Sequence, residues 1–297
     1  MNSYLGELRV HWRPLLSVVL GLSSGLVMTS FVIGIMGSYL VAEFKWPKEQ
    51  MAMVGALALG AVLLFPFVGR MTDVVGVRKT AMVGVIASPI FYLALSRIET
   101  FAAYAILYAL QASILVTTTP PVYCRIIFQY FKQARGLALG IATAGPATAV
   151  VVGGPLLNNF VTDHGWRAGY VAMAVFSGVV GVIALLLLPP EIRNGQTTLA
   201  KPKSAGQDYS RIFRSYVFWI LIVGILLCNL PQSIMMSQLA LILAENGASG
   251  KEASIMISAL AGGTIIGRLV SGVALDRFPA PLVATIGLAL SGFGLLA

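Results

Sequence analysis

Long apolar runs, repeated along the whole chain, constrain this sequence more than any other feature. An α-helix crosses the hydrocarbon core of a bilayer in about 20 residues, and runs of that length recur from residue 15 onward. Apolar residues make up 58% of the chain and charged residues 10%, against roughly 45–50% and about 25% in soluble domains. This composition excludes a soluble enzyme and a disordered chain. It predicts an all-α polytopic membrane protein.

Nine membrane-spanning helices are predicted. They lie near residues 15–40, 50–69, 80–96, 101–124, 136–160, 167–188, 216–244, 253–275 and 281–297. The longest polar stretch, residues 189–214, is interpreted as a cytosolic linker, although a disordered loop without a role is an alternative. The predicted domains are therefore a six-helix N-terminal bundle (1–188), the linker (189–214) and a partial C-terminal bundle (215–297).

The distribution of positive charge predicts the orientation of the chain. With the N-terminus in the cytosol, 15 of the 20 lysines and arginines fall in cytosolic segments, in agreement with the positive-inside rule. The net charge of +9 does not indicate nucleic-acid binding, because the basic residues do not form one patch. We expect a monomer whose partners are the lipid bilayer and a small-molecule anion, in the inner (plasma) membrane of a bacterium.

An internal repeat relates the two bundles. When the chain is shifted by 203 residues, identical residues fall on each other: Lys48 and Lys251, Glu49 and Glu252, Gly69 and Gly272, Asp73 and Asp276. Span two therefore corresponds to span eight. Parallel repeats joined by a linker are typical of secondary transporters.

Several motifs resemble those of the major facilitator superfamily. Residues 69–79 (GRMTDVVGVRK) resemble its loop 2–3 signature, and a shorter second copy starts at Gly272. Residues 130–142 (YFKQARGLALGIA) and 165–167 (GWR) resemble segments of the monocarboxylate and oxalate/formate antiporter branches, with Ala134 in place of a usual basic residue. The resemblance covers the whole chain and implies twelve spans. A chain that stops at Ala297 within span nine is therefore expected to be a fragment.

The resemblance implies that residues of both signature copies control the change of conformation. A carboxylate at the cytosolic end of span two can face the N-terminus of a neighbouring helix and nearby arginines, which would lock the bundles in one state. An ordinary solvated loop is the alternative for each copy. The predicted gating residues are Gly69, Asp73, Gly76, Arg78, Gly272, Asp276 and Arg277.

Arg268 is the residue predicted to bind the substrate. It lies eight residues before Asp276, so its Cα is about 12 Å inside the end of span eight, at about 1.5 Å per residue. A guanidinium matches a carboxylate with two parallel hydrogen bonds, and the resemblance implies a substrate-binding arginine here. An arginine held by backbone carbonyls is the alternative. Further candidates, for which hydrogen bonds between helices are the alternative, are Thr264, Asn229, Gln232, Tyr108 and Gln111.

The sequence thus predicts a secondary active or facilitative transporter of a small organic anion, a monocarboxylate or a dicarboxylate, that works by alternating access. Thr264 stands where the resemblance implies an acid in proton-coupled carriers, which favours exchange or facilitated diffusion. A transporter-like sensor and a carrier of a different small solute are alternatives. We expect no enzyme, because no nucleophile–base pair lies within a span. No metal or cofactor is expected, because the two His and two Cys are far apart.

Overall fold

A computed structural model describes residues 4–47, 50–51, 53–55, 60–190, 214–216, 218–220, 222–224 and 250–296. Every regular element in these ranges is helical. The helices are α1 (Tyr4–Val10), α2 (Trp12–Ser23), α3 (Leu26–Phe44), α4 (Phe65–Val75), α5 (Val77–Leu95), α6 (Phe101–Leu115), α7 (Pro120–Tyr130), α8 (Arg135–Leu187), α9 (Gly250–Arg277) and α10 (Ala280–Leu296). Short 3₁₀ turns precede α4 and join α6 to α7.

Five helical segments among the described residues are long and apolar enough to cross a membrane. Span one comprises α2 and α3, span two includes α4, span three is α5, span four comprises α6 and α7, and α8 supplies spans five and six. The predicted all-α polytopic fold is confirmed. Span eight falls within α9 and span nine within α10, whereas most of the predicted span seven lies outside the described residues.

Two glycines with positive φ angles divide consecutive helices. Gly76 (φ 90°) separates α4 from α5, and Gly165 (φ 82°) divides α8 into span five and span six. Glycine adopts this backbone region without the steric penalty that a Cβ would bring. The turn that the sequence predicts at Gly76 is therefore present, and the predicted gap between spans five and six lies at Gly165.

The chain divides into two compact units. The first comprises Met1–Glu191 together with Thr264–Ala280, and the second comprises Ile192–Gly263 and Pro281–Ala297. The end of span eight therefore groups with the N-terminal bundle, although the sequence assigns it to the C-terminal bundle. The predicted domain boundaries themselves stay predictions.

The first unit has two main apolar clusters. One is rich in aromatic side chains from spans three, four and six, and its largest fully buried members are Tyr92, Tyr104 and Tyr170. The other surrounds Tyr123 and Phe131 at the opposite end of span four. These clusters hold spans one to six together and fix the ends of spans four and five, where the candidate site lies.

Candidate functional site

The first signature copy forms an ion pair at the end of span two. Arg125 Nη1 in α7 donates to Asp73 Oδ1 in α4, and Arg125 Nη2 donates to the Gly69 carbonyl oxygen at 3.2 Å. The Asp73 side chain is 66% exposed and the Arg125 side chain 32%. This pair joins span four to span two. From sequence, Arg125 near the inner end of span four is expected to extend to the lipid headgroups or to line the cytosolic vestibule. Neither interpretation names Asp73 as its partner.

The second signature copy caps a helix. Asp276 Oδ1 accepts a hydrogen bond from the backbone N–H of Gly136 at 2.5 Å, and Oδ2 accepts one from the N–H of Leu137 at 2.8 Å. Both amides belong to the first turn of α8, which begins span five. A carboxylate there satisfies free N–H groups and interacts favourably with the positive end of the helix dipole. Of the two partners predicted for the first copy, the arginine is found there, beside Asp73, whereas the helix N-terminus is found at the second copy, beside Asp276.

Glycines let spans five and eight meet backbone to backbone beside this cap. A Cβ on Gly136 would collide with the Gly272 carbonyl oxygen, and a Cβ on Gly272 would lie 2.5 Å from the Gly136 carbonyl oxygen. One turn deeper, a Cβ on Gly140 would lie 2.6 Å from the Arg268 carbonyl oxygen. Any larger side chain at these positions would force the two helices apart.

The other predicted gating residues differ in their surroundings. Gly69 has open space where a Cβ would be. Arg78 and Arg277 are exposed, and within the described residues their side chains form no hydrogen bond or ion pair. A gating role for these residues stays a prediction.

Glu7 is a carboxylate of this site that the sequence analysis missed. It is 9% exposed and accepts hydrogen bonds from the N–H groups of Lys132 (2.7 Å), Gln133 (3.0 Å) and Ala134 (2.8 Å). Burial by itself raises the pKa of Glu7, but these three amides and the nearby His11 outweigh it, so that the pKa is lowered. A single acidic residue before the first apolar run does not indicate, from sequence, that its carboxylate binds backbone amides.

Tyr4 joins the N-terminal segment to Asp276. It lies one turn before Glu7 in α1, and its hydroxyl donates to Asp276 Oδ2 at 2.7 Å. Burial, together with this bond to Asp276, raises the pKa of Tyr4 to about 12. Glu7 and Asp276 thus bind five of the six backbone amides from Lys132 to Leu137. The N-terminal segment supplies Glu7 and contacts Asp276 through Tyr4.

Arg268 lies on span eight, two turns deeper than Asp276. Its Nη1 donates to the backbone carbonyl oxygen of Thr143 in span five. No ion pair of Arg268 with an acid is found in the part of the chain that the structure describes. Pro146 lies inside the same helix, and because it has no N–H, the carbonyl oxygen that it leaves without an intrahelical partner is that of Ala142, next to Thr143. The structure thus shows Arg268 held by a backbone carbonyl, which is the alternative given in the sequence analysis. Its role in substrate binding stays a prediction.

The remaining predicted substrate residues are partly described. Thr264 is half-buried one turn before Arg268. Tyr108 and Gln111 in α6 are 5% and 0% exposed, and among the described residues neither side-chain polar atom of Gln111 has a hydrogen-bond partner. Asn229 and Gln232 lie outside the described residues. The structure therefore brings Thr264 close to Arg268 along one helix but places Tyr108 and Gln111 within the N-terminal bundle.

An apolar cleft lies next to Arg268. Its volume is about 610 Å³, and residues of spans one, five, six and eight line it. Ile265 and Leu269, which flank Arg268 in sequence, contribute to it, as does Ser23. In the described ranges no group of three or more His, Cys, Asp or Glu side chains could hold a metal ion.

Residues 165–167 connect span six to span one through hydrogen bonds, at the end of the helices opposite to Asp276. Trp166 Nε1 and Arg167 Nη1 both donate to the Glu43 carboxylate, the latter at 2.7 Å. The Arg167 guanidinium also lies 4.2 Å from the Trp166 ring centroid. This motif, which resembles one in the monocarboxylate branch, therefore has a structural role in the described residues.

Comparison with known proteins supports the resemblance. The family model of the Major Facilitator Superfamily matches residues 15–297. An MFS-type transporter of Aspergillus terreus, pytF, is 24% identical over 235 residues, which cover 77% of this chain and 76% of the relative.

Two other relatives are named monocarboxylate transporters. Monocarboxylate transporter 10 of Danio rerio is 28% identical over 193 residues (61% of this chain, 36% of the relative). Monocarboxylate transporter 13 of Bos taurus is 23% identical over 273 residues (87% of this chain, 62% of the relative). The chain therefore spans less than two thirds of the length of these two relatives. All three organisms are eukaryotes, and the predicted bacterial location stays a prediction.

Proposed function

The chain belongs to the Major Facilitator Superfamily, and we propose that it transports a small organic anion, a monocarboxylate or a dicarboxylate, by alternating access. Family membership and the apolar helices make it a multi-pass membrane transport protein with a small-molecule substrate. The anion and the mechanism are our proposal. The relatives named monocarboxylate transporters support the choice of substrate class.

The proposal rests above all on the environment of Arg268. Its Cα lies about 12 Å from the end of span eight, and its guanidinium bonds to the Thr143 carbonyl oxygen and to no acid among the described residues. A carbonyl oxygen supplies a partial charge, whereas a carboxylate supplies a full charge and two acceptors for the guanidinium fork. A substrate carboxylate is therefore the stronger partner and would displace Thr143. The adjacent apolar cleft would accept the hydrocarbon part of the anion.

The same helix links substrate binding to closure. Arg268, Gly272 and Asp276 lie one turn apart on span eight, and each contacts span five. We infer that the contacts at Gly272 and Asp276 hold the cytosolic ends of the two helices closed. Displacement of Thr143 by the substrate would remove the deepest of these three contacts and favour separation of the helices. The cytosolic N-terminus and the monomeric state belong to this proposal.

The test is anion uptake by the full-length carrier in proteoliposomes, with radiolabelled lactate, oxalate and succinate as probes. Arg268→Gln is expected to abolish uptake, and Arg268→Lys is expected to weaken binding because lysine keeps the charge but lacks the fork. Arg97→Gln, which alters an exposed arginine in the loop between spans three and four, is the matched control. Wild-type affinity in a well-folded Arg268→Gln carrier would refute the assignment.

A further inference from the structure

The segment before span one has an inner face that contacts the end of span four, the loop between spans four and five, and Asp276. Tyr4, Glu7 and His11 lie at positions that share one side of a helix. Tyr4 and Glu7 form the hydrogen bonds described above, and the His11 ring packs edge-on against Tyr130 (5.6 Å) and Phe131 (5.7 Å). The only acid between residues 4 and 13, Glu7, is therefore turned inward and bound by backbone amides.

The outer face of the same segment combines positive charge with apolar side chains. Leu5, Val10 and Trp12 are 63%, 60% and 49% exposed. Arg9 and Arg13 are also exposed, and the Arg13 guanidinium lies 5.5 Å from the Trp12 ring centroid. Arginine, tryptophan and aliphatic residues at the start of a spanning helix are the composition that lies in the headgroup region of a bilayer.

We propose that this outer face, residues 5, 9, 10, 12 and 13, binds anionic lipid headgroups, and that this binding stabilises the contact of Glu7 with amides 132–134, just before span five. Charge complementarity selects this occupant, because the outer face presents two arginines and no carboxylate. The leaflet involved is the cytosolic one under the topology proposed above. The lipid contact itself does not depend on transport.

A physical reason couples the two faces of the segment. The helix α1 has seven residues, too few for a helix to be stable by itself in water. Its position therefore depends on its contacts. An anionic surface that holds Arg9 and Arg13 reduces the freedom of the segment to leave the loop between spans four and five, and each basic residue near such a surface contributes about a fivefold factor. Hydrogen exchange of the three backbone amides that donate to Glu7 should measure this loss of freedom directly.

The experiment measures hydrogen exchange of amides 132–134 in the chain embedded in nanodiscs. Nanodiscs of phosphatidylcholine alone are compared with an equal mixture of phosphatidylcholine and phosphatidylglycerol. We expect exchange to be about fivefold slower or more in the anionic discs, and added salt to reduce the difference. Equal exchange in the two lipids would overturn the proposal. The measurement needs neither substrate nor transport, so it is independent of the proposed function.

Variants of the two arginines and of Glu7 test which residues produce the lipid dependence of hydrogen exchange. Arg9→Gln with Arg13→Gln should remove the lipid dependence, each single variant should remove part of it, and Arg97→Gln should retain it. Slow exchange in the buried part of α6 shows that each variant is folded. Glu7→Ala should also lose the lipid dependence at 132–134, because alanine has no acceptor for these amides. If the double arginine variant or Glu7→Ala keeps the full lipid effect, the lipid acts elsewhere and the proposal is wrong.

Discussion

The two signature copies hold equivalent aspartates in the repeat but use them differently. Asp73 pairs with the Arg125 side chain and is 66% exposed. Asp276 is half-buried and binds two backbone amides and the Tyr4 hydroxyl. An exposed ion pair contributes about 0–1 kcal/mol, whereas a carboxylate at a helix N-terminus contributes up to about 2 kcal/mol when partly buried. The structural contribution of a motif therefore depends on what its neighbours present to it.

The glycines of the two copies show the same contrast. Apart from the nearby backbone of its own helix, no atom of the described residues lies within 4 Å of a Cβ position at Gly69, whereas Gly272 touches the backbone of span five. There is thus room for a side chain at Gly69 in the first copy, whereas Gly272 in the second copy lies where two helices cross closely. The variants below compare equivalent positions, so that local sequence is matched and only the surroundings differ.

The largest effect is expected from Gly272→Ala compared with Gly69→Ala. The new Cβ at 272 would meet the Gly136 carbonyl oxygen at 2.5 Å and the Leu137 Cα at 3.2 Å, and overpacking of this kind destabilises by about 1–3 kcal/mol. At 69 the new methyl meets nothing, and alanine in a helix is favoured over glycine by about 0.5–1 kcal/mol. Thermal unfolding in detergent compares the two. Equal destabilisation would show that the crossing is not tight.

A smaller effect is expected from Asp276→Asn compared with Asp73→Asn. Loss of the charge at the start of span five should destabilise by about 1–2 kcal/mol and speed hydrogen exchange at amides 136 and 137. Loss of the exposed charge at 73 should change stability by about 1 kcal/mol or less. In a full-length carrier Asp73→Asn should still slow transport, with substrate binding unchanged within a few-fold. Reversal of the stability order would contradict the contrast between the copies.

The smallest effect is a pH dependence from Glu7. Its pKa is lowered in the folded chain, so the carboxylate stabilises the fold above its unfolded pKa of 4.5 and loses this contribution as pH falls through the folded value. The stability difference between wild type and Glu7→Gln should therefore be constant near neutrality and shrink below pH 4.5. Unfolding curves measured over this range test it. A difference that does not change with pH would remove Glu7 as a charged cap.

Local features of the chain could be predicted from its sequence. Hydropathy located spans one to six because each span must be apolar over its own length, whatever its neighbours. The turn at Gly76 and the break between spans five and six followed from glycine and from polar residues close by in sequence. The repeat identified Asp276 as an equivalent of Asp73. These inferences use residues within one helix or one turn, where chain geometry fixes the outcome.

The partners of the site residues were decided by the tertiary structure. Asp276 binds an amide 140 positions away, Glu7 binds one 127 positions away, and Arg268 reaches the carbonyl oxygen of Thr143 125 positions away. Backbone amides and carbonyls are present at every residue, so no side-chain pattern marks which of them will be free. That depends on where helices begin and on which helices glycine allows to touch. The sequence determined which residues are charged within the spans, and only packing determined what each one binds.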